Sequence, residues 1–371
     1  MKILQVVTLF SPDAAYGGPI RVALNQSRAL QDSGHEVTIA AGMRGYDVTP
    51  TSEQGIALKL FPARTLIPKI GYAGIGAPAM LRWLRTHLRD FDVVHIHLAR
   101  DLVTLPVAKL ALAQGVPVLA QTHGMIDETD KLLAKPLDAA LTVPVLKRAR
   151  TVFYLTERER ADLLAVVGSN DVNLVELNNG IPDVDHPAPQ PSTGRPEVLY
   201  LARLQARKRP QVFVAAARAI LDSGIEASFS IVGPDEGEAA AVNQMIESSG
   251  HHDAIRYEGP LPFDKSAARF QRASVYVLPS VDEPFPMSVL EAMAAGLPVV
   301  VTDTCGLAPL IREGRCGLVI DDAVESLTAA VTSLLEDPSG AADMGARARE
   351  VVRERLGMSS VRRVLETQYA R

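Results

Sequence analysis

Short apolar runs alternate along the chain with stretches of helical period. Residues 2–10, KILQVVTLF, form one such run, and SPDAAYGGP follows as a polar, glycine-containing loop. IRVALNQSRALQDSG then repeats apolar positions at helical spacing and stops at Gly34, and HEVTIAAG returns as a strand. FDVVHIHLAR and VPVLAQTHGMID each read as a strand running into a loop, and RTVFYLTERERADLLAVVG as a strand followed by a helix. VLYLARLQ, ASFSIVG, ASVYVLPS and LPVVVTD repeat the theme in the second half. The alternation predicts an α/β protein of doubly wound sheets. A proline-rich, apolar-poor stretch divides it, placing one domain at 1–182, a linker at 183–196, a second domain at 197–350 and a terminal helical segment at 351–371.

Composition narrows the classes. The chain has 371 residues, too many for one ordinary core, with 47% apolar and 22% charged residues, the balance of a folded globular protein. A net charge of −5 carries no footprint of a nucleic-acid binder. The opening apolar run is strand-length and no run of about eighteen apolar residues occurs, so a cytoplasmic protein is expected. Cys305 and Cys316 stand without a CxxC or neighbouring histidines, so neither a structural disulfide nor a zinc site is expected.

Candidate chemistry gathers at the carboxyl ends of the expected strands, the edge where open α/β sheets bind ligands. Gly17 and Gly18 follow the first strand and let backbone approach a ligand. His95 and His97 share one strand face, and with no carboxylate cluster nearby they read as satisfied core or cleft residues. His123, followed by Gly124, is the better site candidate; the alternative is a histidine capping the next helix. Arg203 and Lys208 stand five positions apart after a strand, a pair suited to a diphosphate: Arg holds it bidentately and Lys as a point charge. Gly233 ends another strand. In PSVDEPFPMSVLEAMAAGLPVVVTD, Glu283 lies in a loop and Glu291 one turn into a helix, eight positions on. Between them Pro284 and Pro286 leave the N–H groups of Phe285, Met287 and Ser288 for an anion. GIGAPA, residues 74–79, mimics a dinucleotide fingerprint but lacks the strand that should precede it.

The two glutamates with seven residues between them, followed by AMAAGLPVV, resemble the signature of retaining glycosyltransferases of family 4. The resemblance spans nearly the whole chain, through HG at 123–124, NGI at 179–181 and the Arg203–Lys208 pair. It implies a GT-B fold: two Rossmann-like domains facing across a cleft, the first binding acceptor and the second the nucleotide sugar. By position it implies that Glu291 holds the donor ribose, Glu283 lies by the sugar, Arg203 and Lys208 hold the pyrophosphate, Gly233 flanks the base, and His123 lies near the transferring sugar. It implies no metal and no cofactor beyond the nucleotide-sugar donor. The acceptor would be a glycan or a lipid-linked glycan, as in polysaccharide or lipopolysaccharide synthesis. Arg82, Arg85 and Arg89 beside Leu81, Leu84 and Leu88 keep a peripheral membrane contact open. The pattern departs from the family at Ala202, Arg209, Cys305 and Pro309, which bears on sugar identity. A non-catalytic nucleotide-sugar binder and a sugar-nucleotide epimerase of the same fold are the rival readings; a nicotinamide dehydrogenase would need a true fingerprint.

Overall fold

The computed structural model describes residues 1–12, 17–68, 70–129, 134–182, 194–262 and 265–371. Their contacts group into two compact units, Met1–Pro182 with Met358–Arg371, and Asp183–Gly357. Most of the proline-rich segment, residues 183–193, and Lys131 lie outside the described residues.

The first unit carries β1 (Lys2–Phe10), β2 (Glu36–Met43), β3 (Ser52–Glu53), β4 (Ile56–Pro62), β5 (Arg64–Thr65), β6 (Ile75–Gly76), β7 (Val93–His97), β8 (Val118–Gln121), β9 (Thr151–Tyr154) and β10 (Leu174–Glu176). Eight of these form one sheet in the order β10-β9-β8-β7-β1-β2-β4-β3, parallel except for the edge pair β3–β4. In β1 even positions such as Leu4 and Val6 face the core built with Met80, Leu84 and Leu88. Odd positions such as Ile3 face Leu30, Val361 and Leu365 of the helices Gly17–Asp32 and Met358–Tyr369. Burial on both faces is why these strands read as unbroken apolar runs. Gly180, at φ +68°, leaves room for the terminal helix: a Cβ there would come within 2.7 Å of Met358 and 2.8 Å of Val361.

The second unit carries β11 (Glu197–Leu201), β12 (Ser228–Val232), β13 (Ile255–Gly259), β14 (Val275–Leu278), β15 (Val299–Thr302) and β16 (Gly317–Ile320). The six form a parallel sheet in the order β13-β12-β11-β14-β15-β16. Counted within the unit this is 3-2-1-4-5-6, the Rossmann order, and its topological switch point falls between β11 and β14.

Two local expectations need correction. The helix expected after Gly18 already begins at Gly17, so the glycine pair forms its first turn rather than a loop. Glycine costs little there, and Pro19 is tolerated because first-turn N–H groups have no intrahelical partner. In sequence the stretch from Asp127 to Arg150, with Lys131, Lys135, Lys147, Arg148 and Arg150, reads as one long helix, but it is broken into Ala134–Leu137, a π turn at Asp138–Thr142 and Val143–Arg148. Pro136 and Pro144 cannot donate to a regular ladder. GIGAPA, as its sequence suggests, follows no strand of the main sheet: β6 within it pairs with β5 and makes one isolated bridge, from Gly76 to Leu102.

Candidate active site

At the switch point of the second unit the loops after β11 and β14 meet. Lys208 reaches Glu283, with Nζ 2.5 Å from Oε2; both are buried, at 7% and 8% exposure. Arg207, which sequence reasoning passed over, joins them: its Nη2 lies 3.4 Å from Glu283 Oε2 and its Nη1 donates to the Asp282 carbonyl. Burial pushes the Lys208 ammonium down while the adjacent Glu283 carboxylate opposes it. The β14 loop is fixed further by the Val281 N–H donating to the Arg207 carbonyl and the Gly306 N–H to the Glu283 carbonyl. Cys305, at the first departure from the family pattern, is buried beside these groups, and burial raises its thiol to about 12.

Arg203 leaves the same β11 loop but is 40% exposed, and its Nη1 donates to both oxygens of Glu236, at 3.0 and 3.3 Å. Gln205 also donates to Glu236. Glu236 comes from the loop after β12, which begins at Gly233. That glycine has φ +149°, and a Cβ on it would stand 1.9 Å from the Ala202 carbonyl oxygen. No side chain fits, so the two loops touch backbone to backbone.

Pro286 caps the helix Met287–Ala295, which stops at Gly296. Met287 and Ser288 occupy its first turn, where N–H groups lack intrahelical acceptors, and Phe285 precedes it in the loop. Tyr276, in β14, donates to the Leu201 carbonyl and shares a 2.7 Å hydrogen bond with the Ser288 hydroxyl, tying strand to helix start. Burial raises its phenol, and the charges of Glu291 and Glu283 add to the effect. Glu291 sits half-buried one turn into the helix.

In the first unit, His123 follows β8 at φ +53°, a left-handed backbone uncommon outside glycine. Its Nε2 lies 2.7 Å from His97 Nδ1, and His97 Nε2 lies 2.8 Å from Gln5 Oε1. His95 stacks on His97 with centroids 5.1 Å apart and bonds the Tyr369 hydroxyl through Nδ1. Burial lowers His95 to about 3 and His123 to about 4, and drives His97 well below the ordinary value. All three are therefore neutral imidazoles at neutral pH. Gly17 and Gly18 open the helix after β1, and a Cβ on Gly18 would meet nothing. Among the described residues no group of three or more His, Cys, Asp or Glu is arranged to hold a metal ion, and no helix is long and apolar enough to cross a membrane.

Two Rossmann-like units, each with polar groups at its strand ends, are the architecture of GT-B glycosyltransferases. Residues 17–180 match the model of the glycosyl transferase 4-like domain and residues 183–351 that of glycosyl transferases group 1. The chain belongs to this family and is a nucleotide-sugar-dependent glycosyltransferase of family 4 type. Among its relatives, a D-inositol 3-phosphate glycosyltransferase of Arthrobacter sp. (strain FB24) is 29% identical over 301 residues, covering 75% of this chain and 70% of the relative. A glycogen synthase of Mycobacterium tuberculosis is 28% identical over 382 residues, covering 94% and 90%. The structure of Anabaena HepE in complex with UDP and glucose superposes with a TM-score of 0.80 at 16% identity, covering 100% of this chain and 99% of that one, a likeness of fold.

Proposed function

We propose that this glycosyltransferase moves a hexose, of mannosyl or glucosyl type, from a nucleoside-diphosphate sugar to a glycan or lipid-linked acceptor, retaining anomeric configuration. The observation that carries the reading is the meeting of Arg207 and Lys208 with Glu283 at the switch point of the second unit, with Arg203 on the same β11 loop held by Glu236. As the glycosidic bond breaks, negative charge grows on the leaving diphosphate. Arg203, Lys208 and the N–H groups at Met287 and Ser288 meet that charge in this reading. Preorganised donors of this kind are typically worth about 10²–10³ in rate each. The diphosphate takes the place of Glu236 on Arg203, a carboxylate being a fair stand-in for a phosphate oxygen pair. Glu291 holds the ribose, since a carboxylate accepts from two vicinal hydroxyls at once. Glu283 orients the sugar, and His123 approaches it from the acceptor side. The acceptor hydroxyl attacks on the face from which the diphosphate departs and gives its proton to the leaving phosphate. The protein's own cations stabilise the diphosphate, so no metal is needed.

The test is thermal unfolding against UDP, GDP, ADP and NADH, each at about 100 times the dissociation constant. That excess adds about 2.7 kcal/mol, or several degrees for units of this size. One nucleoside diphosphate is expected to shift the midpoint, and the matching sugar nucleotide to be consumed with unchanged rate in EDTA. Anomeric analysis of the product then reads retention directly. A shift with NADH alone overturns the reading, as does consumption of the donor without an acceptor to yield an epimer.

A further inference from the structure

We infer that Glu159 is a positioning residue for His123: a buried carboxylate, sent out from the start of one helix, that holds the neighbouring loop in the conformation presenting the imidazole. The inference rests on the site role proposed above for His123.

Glu159 is the third residue of the helix Glu157–Val167, whose N-cap Thr156 accepts from the Glu159 N–H through Oγ1. The sequence Thr-Glu-Arg-Glu has the form of a capping box, in which the glutamate would fold back onto the N-cap N–H. Here the side chain goes elsewhere. Oε1 accepts from the Thr122 hydroxyl and from the Gly124 N–H, both at 2.5 Å, and Oε2 from the Leu155 N–H at 2.6 Å. Thr122 and Gly124 are the two neighbours of His123, so one carboxylate oxygen grips the loop on both sides of the histidine.

The grip is costly, which is the reason to give it a purpose. Glu159 is only 3% exposed, and burial pushes its carboxyl up. Among the described residues its hydrogen-bond partners are one hydroxyl and two backbone N–H groups, none of them a cation. A buried carboxylate solvated in this way is tolerated when its lone pairs are filled and a helix N-terminus lies beside it. The conformation it holds is itself unfavourable at one residue: His123 has φ +53°, while Gly124 at +69° adopts its left-handed backbone without strain. A non-glycine residue there persists only where the surroundings over-determine it. His97 fixes the ring of His123 and Glu159 its backbone, so the side chain is constrained from both ends.

The test compares Glu159→Gln with Thr156→Ala in the full chain. Glutamine keeps the volume, but its amide nitrogen must face an N–H or hydroxyl that now has no acceptor. Thr156→Ala removes the cap of the same helix without touching the loop. The donor is whichever sugar nucleotide the wild type consumes. Glu159→Gln is expected to lower kcat at least 10-fold with donor KM within about twofold, and to broaden or double the ring resonances of His123. Thr156→Ala is expected to lower Tm by a few degrees with kcat and the His123 resonances unchanged. If Glu159→Gln behaves like Thr156→Ala, Glu159 is structural only and the inference fails. If His123→Ala itself keeps full turnover, it is the site role of His123 that fails instead, whatever Glu159→Gln does to the resonances.

Discussion

At the scale of single residues the Lys208–Glu283 pair is the most exacting feature of the second unit. Two charges under a tenth exposed are tolerated because each is paired with the other at 2.5 Å. Lys208→Met strands a buried carboxylate, for which about 3–5 kcal/mol is typical. Arg207 at 3.4 Å draws the expected cost toward the lower end. The double variant Lys208→Met with Glu283→Leu removes both charges and is expected to recover most of that stability in urea titrations, while sugar transfer stays lost. Recovery of activity along with stability would show that the pair serves the fold alone. Neither this pairing nor the Arg203–Glu236 contact was readable beforehand. The partners stand 75 and 33 residues apart, and nothing in the local pattern says which carboxylate a loop cation will meet. Glu159 was hidden for a related reason: within TERERADLL it reads as one charge on a solvated helix face, and its partners Thr122 and Gly124 stand 37 and 35 residues away, after the neighbouring strand β8.

At the scale of elements the strands were legible because burial on both faces forces continuous apolar runs, as in β14 and β15, where every residue is buried. The helix Met287–Ala295 was legible from its stop at Gly296 and the prolines before it. The broken segment around the π turn was not, since proline spacing predicts interruption without saying how the ladder resumes. Loop packing is likewise invisible in sequence, and Gly233 shows it best. Gly233→Ala places a methyl against the Ala202 carbonyl, a backbone atom that cannot rotate aside. Overpacking costs roughly 1–3 kcal/mol and the strained φ about as much again. The expected result is a midpoint lowered by at least about 5 °C, at 2–4 °C per kcal/mol, and nucleotide affinity weakened because Arg203 is the next residue along. Calorimetry with and without the shifting nucleoside diphosphate measures both; an unchanged midpoint would mean that the loops are free to part.

At the scale of the whole molecule the two units differ in how acid should affect them. The first unit buries His95 and His97 and half-buries His123, and all three have folded pKa values below the ordinary 6.5. A base with a depressed folded pKa takes up its proton more readily when unfolded. Its penalty therefore begins as pH falls below about 6.5 and grows until the folded pKa is reached, near 4 for His123 and near 3 for His95. Asp101, raised by burial to about 6, and Glu159, also raised, act in the opposite sense because they protonate more readily when folded. Three groups against two leave the unfolded unit with the larger proton uptake as pH falls below about 6, so the first unit loses stability in that range. In the second unit Glu197 is held below the usual carboxylate range by Arg269 and Ser230 despite its burial, so its contribution is lost only as pH falls below about 4.5. Between these limits acid should weaken the first unit selectively. Trp83, the single tryptophan, lies in the first unit and reports on it alone. Its fluorescence midpoint in urea is expected to fall between pH 7 and pH 5, while a second far-UV transition, from the other unit, stays in place. Equal movement of both transitions, or a fluorescence midpoint that ignores pH, would mean that the buried histidines are not setting the acid stability of the first unit.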